Sequence, residues 1–433
     1  MTFLTFVAGL ALSSPAADKA SRPNIIFILA DDVGFGNVSC YGADKFKTPK
    51  IDALAKSGIR FEHCYAAPLC GPSRAAILTG RYAFRTGMTG NDSGPLMKPA
   101  NEIMIPKILK PAGYVTAHVG KWSQLPLQPS DWGFDEYLRF QGSGQYWREQ
   151  NAHYTVNGKQ TDLPEGKYLP DLMHEFLVDF ITQHRDQPFY VHYAMSHIHG
   201  KILRTPDSAP DSKDFYADNI AYMDKLVGKL VADLDRLKLR EKTLLIFVGD
   251  NGTAKNEAER STVNGKHISG HKGEMLEGGS LVPMIASWPG TAPAGKISKN
   301  LLDFSDYFPT FAELAGAKLP EGVTLDGHNF APELRGEKGE SREWIFVELG
   351  KKWYVREADW KLNRNEELFD MKGAPFEEKL VASDPADAQA NAAKKRLQAV
   401  LDQLDPAAGK MDAGDGSGKH AGKAKNKLQK TKP

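Results

Sequence analysis

Cysteine is scarce in this chain. Cys40, Cys64 and Cys70 are the three in 433 residues. The number is odd and no C-x-x-C pair occurs, which excludes a disulfide framework and a zinc ribbon. An excess of charge of one sign is also lacking: 55 basic side chains balance 54 acidic ones. That balance excludes a global nucleic-acid or membrane-surface binder. No apolar run is long enough to cross a bilayer, and no internal repeat is visible. What remains is an ordinary hydrophobic content of 41%, in a chain long enough for one large core and a smaller second unit.

The first apolar run, 3–12, is followed by Ser13-Ser14-Pro15-Ala16-Ala17. A short apolar core followed by small residues fits a secretory signal peptide over 1–20, hence a periplasmic or secreted protein. No Lys or Arg precedes the run. Beyond it, four β-rich apolar runs (24–29, 114–119, 189–194 and 243–248) alternate with segments of helical spacing (51–57, 104–109, 172–184 and 217–237). Continuous apolar strands are buried on both faces. The alternation predicts an α/β fold, a large mostly parallel sheet sandwiched by helices, over 21–336. After Gly336, three short runs at hairpin spacing (344–348, 353–357 and 360–364) precede a helix over 385–404. Ser383 or Asp384 is its expected cap, with Pro385 near its start. Together they predict a small C-terminal α+β subdomain over 337–405. The remainder, 406–433, holds seven lysines between Lys410 and Lys432 and reads as a basic disordered tail.

Each of the four apolar runs ends in residues with chemistry: Asp31-Asp32, Lys121, His197 with His199, and Asp250-Asn251. Ligands of such sheets bind beyond the carboxyl ends of the strands, so one shared site is expected. Adjacent carboxylates repel each other unless a cation lies between them. Oxygen ligands suit hard cations such as Ca²⁺ or Mg²⁺. A further segment, Cys70-Gly71-Pro72-Ser73-Arg74, places a thiol just before an expected helix start, with Pro72 near the first helical position. The helix dipole there favours an anionic sulfur, and Arg74, one turn on, is placed to reach back toward it.

The run C-x-P-S-R followed by L-T-G-R over 70–81 resembles the signature of the type I, formylglycine-dependent sulfatases of the alkaline-phosphatase-like superfamily. Gly120-Lys121-Trp122 resembles their G-K-W. His199-Gly200-Lys201 resembles their H-G-P, with lysine in the last place. The run from His271 to Gly279 resembles G-K-G-x-x-x-E-G-G, Trp288-Pro289-Gly290 resembles W-P-G, and Leu368-Phe369-Asp370 resembles L-Y-D. The likeness extends over 23–380. It implies that Cys70 is oxidised to formylglycine by a formylglycine-generating enzyme. It implies Ca²⁺, or Mg²⁺, held by Asp31, Asp32, Asp250, Asn251 and the modified Cys70. Lys121 and Lys272 would hold sulfate, His199 or else His197 would assist the leaving oxygen, and Arg74 completes the catalytic set. Many members read G-K-W-H-L-G, whereas here Ser123, or Gln124 after a one-residue insertion, stands in place of that histidine. Neither side chain is a base near neutral pH.

The activity implied is hydrolysis of sulfate monoesters on a sulfated small molecule or oligosaccharide, aryl sulfates included, with no nucleic-acid partner and no transmembrane segment. A phosphonate or phosphodiester hydrolase of the same superfamily and a catalytically silent sulfated-glycan binder are the alternatives. Trp132, Tyr137, Tyr146 and Trp147 lie in a loop-rich stretch, where they either stack on sugar rings or pack the domain. His192, inside its strand, reads as structural. With Cys70 modified, Cys40 and Cys64 remain as two thiols or one pair.

Overall fold

A computed structural model describes residues 22–150, 153–382 and 387–408. The expected signal peptide, the tail beyond 408, and Ser383, Asp384 and Pro385 lie outside the described residues. Ten strands form the main sheet: β1 (Asn24–Ala30), β2 (Ile59–Tyr65), β3 (Val115–Lys121), β4 (Glu136–Phe140), β5 (His153–Val156), β6 (Lys159–Asp162), β7 (Phe189–Ala194), β8 (Thr243–Gly249), β9 (Leu281–Ser287) and β10 (Lys296–Asp303). Their spatial order is β10-β2-β9-β8-β1-β7-β3-β4-β5-β6. The four apolar runs legible in the sequence are the consecutive central strands β8, β1, β7 and β3, all mutually parallel. Their carboxyl ends therefore share one edge, and the site lies there.

The outer strands are mixed. β9 runs antiparallel to both β8 and β2, and β5 and β6 are antiparallel additions beyond β4. These strands do not read as continuous apolar runs. β2 carries Arg60, Glu62 and His63, and β9 contains Pro283. Pro283 has no N–H to give a ladder, and the β2–β9 register shifts between Phe61 and Cys64, opposite it. A bulge accommodates the missing donor.

Both faces of the sheet are covered, as the period of two along β1 requires. Ile26 and Ile28 face a core built with the helices Pro49–Lys56, Leu169–Gln183 and Phe215–Arg236. Ile25, Phe27 and Leu29 face a second core built with Cys70–Thr79, Ile105–Leu109 and Tyr307–Ala315. The C-terminal part is a five-stranded antiparallel sheet of β11 (Ile345–Leu349), β12 (Lys352–Arg356), β13 (Trp360–Asn363), β14 (Leu368–Asp370) and β15 (Lys379–Leu380). The helix Ala388–Leu404 packs on it through Ala393, Leu397 and Leu401. That helix begins later than 385, because the Asp387 carboxylate accepts from the Gln389 N–H and caps it. Cys40 and Cys64 are separate free thiols. Trp132, Tyr137 and Tyr146 are buried packing residues, and Trp147 is half-buried. Among the described residues no helix is long and apolar enough to cross a membrane.

Candidate active site

Hydrogen bonds between strand ends assemble the site. Asp31 and Asp32 continue β1, and Asp32 turns the chain at a φ of 63°, a left-handed conformation that aspartate tolerates better than most residues. The Asp31 N–H donates to the His197 carbonyl, and the Ile198 N–H donates back to the Asp31 carbonyl, both at 2.6 Å. This clamp fixes the loop that carries His199. On the other side, the Asp250 N–H donates to the Ala30 carbonyl at 2.8 Å, and the Asp32 N–H donates to Asp250 Oδ1 at 3.0 Å. All three carboxylates are buried.

Cys70 is the first residue of its helix rather than the residue before it, so Pro72 is the third. The Gly71 N–H donates to Asn91 Oδ1 at 2.9 Å, which satisfies one of the free donors of the first turn. The thiol faces Asp31 Oδ1 at 3.5 Å. Lys121, at the end of β3, donates to Asp31 Oδ2 at 2.7 Å and lies 3.4 Å from the Cys70 sulfur. Lys272 donates to Asp32 Oδ1 at 2.5 Å. Arg74 does not bond the thiol. Its guanidinium donates to Asp250 Oδ2 at 2.7 Å and to the Lys121 carbonyl at 3.3 Å. The Asn251 amide donates to Asp32 Oδ1 at 2.9 Å, which leaves its own Oδ1 buried without a partner.

The two histidine candidates separate. His199 Nε2 lies 3.9 Å from Asp32 Oδ2, and its Nδ1 donates to the Gly200 carbonyl at 2.8 Å. His197 instead meets the Tyr168 hydroxyl at 3.0 Å, and burial pushes it down to about 3. His192 stacks on Phe27 and His118 inside the core. Asp31, Asp32, Cys70 and His199 present ligand atoms within 4.8 Å of one another. Asp250 lies outside that tight group, turned toward Arg74.

Electrostatics correct one expectation. Burial, reinforced by Asp250, pushes the Cys70 thiol up to about 12 against the pull of Lys121 and Lys272. The sulfur is therefore a neutral thiol, because desolvation outweighs the helix dipole. Burial raises Asp31, and its fellow carboxylates Asp250 and Asp32 add to the effect against Lys121. Burial opposes the charge on Asp250 too, but Arg74, Lys121 and Lys272 hold it well below the usual carboxylate range. Three carboxylates thus face three cations, and the site as it stands carries no net formal charge.

The two candidates for the place of the expected histidine differ in their contacts. Ser123 donates its hydroxyl to the Gly142 carbonyl. Gln124 lies over the start of the Cys70 helix, its Cβ 3.3 Å from where a Gly71 side chain would begin, with its Oε1 buried and unpartnered.

Comparison with known proteins gives this geometry its family. The family model for sulfatases matches residues 23–317. The chain belongs to the sulfatase family. Arylsulfatase A of Homo sapiens is 33% identical over 379 residues, covering 79% of this chain and 72% of that protein. N-acetylgalactosamine-6-sulfatase of Canis lupus familiaris is 32% identical over 354 residues, covering 74% and 67%. Among solved structures, Ps i-CgsB is 27% identical with a TM-score of 0.79, covering 95% of this chain and 98% of that one. A second structure of it holds k-i-k-neocarrahexaose. This sulfatase is a sulfuric ester hydrolase.

Two supports of the sulfatase site carry no signal in the sequence. Asn91 sits in an ordinary polar turn, yet it caps the Cys70 helix. Tyr146 donates its hydroxyl to the Ser196 and His199 carbonyls at 2.9 Å each, and so holds the His199 loop. Gly120 of the G-K-W run has a readable reason. Its φ is 111°, and a side chain there would strike the Ala194 carbonyl of β7.

Proposed function

We propose that this sulfatase hydrolyses sulfate monoesters of a carbohydrate, using a formylglycine made from Cys70 and a hard divalent cation, Ca²⁺ or Mg²⁺. The observation that carries the reading is the placement of Cys70 between two lysine–aspartate pairs, Lys121–Asp31 and Lys272–Asp32. The residues present fit a cation: three buried carboxylates converge, and the orphaned Asn251 Oδ1 is an oxygen acceptor with no donor. Asp31, Asp32, Asp250, Asn251 and the modified residue 70 would hold the ion. A bound divalent cation supplies Lewis acidity toward sulfate oxygens and toward the nucleophile. The hydrate of the aldehyde supplies one hydroxyl as nucleophile and a second whose proton loss restores the aldehyde and releases sulfate.

The remaining roles belong to side chains of this chain. Lys121 and Lys272, held by Asp31 and Asp32, would bind sulfate oxygens as charge builds there. Arg74 orients Asp250. As general acid, His199 would give a proton from Nε2 to the departing sugar oxygen, while the bond from its Nδ1 to the Gly200 carbonyl fixes the ring. A divalent cation held by these residues would make the site cationic, which suits an anionic ester. The apolar run 3–12 supports a periplasmic or secreted location, where sulfated polysaccharides are met. A formylglycine-generating enzyme is the partner required for maturation.

The test is nitrophenyl sulfate turnover by protein made together with a formylglycine-generating enzyme, with the tryptic peptide 61–74 weighed in parallel. An aldehyde or its hydrate at residue 70, together with sulfate release that Cys70→Ser abolishes, is expected. Sustained turnover by Cys70→Ser, or faster cleavage of the matched aryl phosphonate, would overturn the reading.

A further inference from the structure

A cavity of about 490 Å³ lies beside the His199 loop, lined by Ser143, Gly144, Gln145, Glu149, Gln150, Lys201 and Leu203. Its size is that of a small-ligand site. Gly144 packs directly on the His199 and Gly200 carbonyls, so this cavity adjoins the backbone of the residue placed at the leaving oxygen. Its wall is built rather than loose. Gln150 Oε1 accepts from the Tyr146 and Trp147 N–H groups at 2.9 and 3.0 Å, and its amide donates to the Gly144 carbonyl at 2.9 Å. Gln145 Oε1 is buried with no hydrogen-bond partner, an acceptor that a ligand hydroxyl would satisfy.

Lys201 is the distinctive member. It stands where the H-G-P form has proline, two residues beyond His199. It is exposed, lines the cavity, and makes no hydrogen bond or ion pair among the described residues. Glu149 lines the same cavity without pairing with it. Amide, hydroxyl and carboxylate groups around a free ammonium match a hydroxyl-rich ring that carries an acidic substituent.

Resting on the sulfate-ester reading above, we infer that this cavity holds the sugar on the leaving side of the scissile sulfate. Lys201 there reads a second acidic group on that sugar, a carboxylate or a further sulfate. The preferred substrate is then a polyanionic oligosaccharide rather than a singly sulfated one.

Three disaccharides sharing one sulfated hexose test this, with that same hexose otherwise neutral, or carrying in addition a carboxylate or a second sulfate. Binding to the wild-type protein and to Lys201→Gln is measured by calorimetry. Expected is a roughly tenfold preference of the wild type for at least one acidic disaccharide, lost in Lys201→Gln, with affinity for the neutral one unchanged within about twofold. Loss with one acidic form alone identifies the substituent. No preference in the wild type, or a preference that survives Lys201→Gln, overturns the inference. Nitrophenyl sulfate turnover is followed in both proteins. Its absence from both rejects the hydrolase reading, while the binding pattern separately decides the role of Lys201.

Discussion

The Lys121 ammonium lies 2.7 Å from Asp31 Oδ2, with both side chains wholly buried. Such a pair costs several kcal/mol to break from one side, since the remaining charge stays buried alone. Lys121→Gln is therefore expected to lower stability by about 3–5 kcal/mol in the metal-free protein. A bound divalent cation would give Asp31 another partner, so the loss should shrink in excess Ca²⁺. Denaturant unfolding with chelator and with Ca²⁺ measures both. An equal loss in the two conditions would argue against a cation at Asp31.

Ser123 and Gln124 compete for the place of the missing histidine. Ser123 is occupied by the Gly142 carbonyl, so Ser123→Ala should cost about 1 kcal/mol of stability and leave turnover intact. Gln124→Ala should lower turnover about tenfold, the worth of one hydrogen bond, and Gln124→His should restore it. Steady-state kinetics on nitrophenyl sulfate distinguishes the two. A larger kinetic loss in Ser123→Ala would reverse the assignment.

Asn91 accepts from the Gly71 N–H next to the nucleophile position. Asn91→Ala should cost about 1 kcal/mol, as lost helix caps do, and should lower kcat more than it raises KM. Asn91→Asp retains the acceptor and should recover most of the loss. Failure of Asp to rescue would mean that the amide acts through another contact.

Buried histidines, His197 among them, set the acid limit. Burial lowers His118 to about 3, and burial with His118 beside it lowers His192 well below its ordinary value. In the unfolded chain each takes up a proton near its ordinary value of about 6.5. Below that pH the unfolded state binds more protons than the native one, so stability falls as pH falls. Each histidine contributes a slope of about 1.4 kcal/mol per pH unit. Unfolding free energies between pH 7 and 5 should show this fall, and His118→Phe should remove about one histidine's share of the slope. An unchanged slope would mean that His118 is protonated in the native state.

The site was legible in the sequence to the extent that its groups sit at strand ends or in short runs. Asp31-Asp32, Lys121 and Asp250-Asn251 follow buried apolar strands, and such strands are parallel neighbours whose carboxyl ends coincide. Less legible was whatever depends on partners distant in the chain. β2 lacks a continuous apolar run because its partly exposed face carries Arg60, Glu62 and His63, and the apolar run of β9 is broken by Pro283 at the bulge. Asn91 and Tyr146 support the site through single hydrogen bonds that leave no local pattern.

By itself the sequence determined the family, the α/β alternation and most of the candidate groups that the fold brings together at one sheet edge, because those are properties of residue type and short spacing. Tertiary structure alone decided which of these groups meet. It brought Asp32 to Asp250 across 218 residues, set His199 beside Asp32 and His197 against Tyr168, turned Arg74 to Asp250 and away from the thiol, and buried that thiol. It also placed Lys201 on a cavity. Burial and hydrogen-bond choice depend on which backbone groups arrive from elsewhere in the chain, and only the folded packing fixes that.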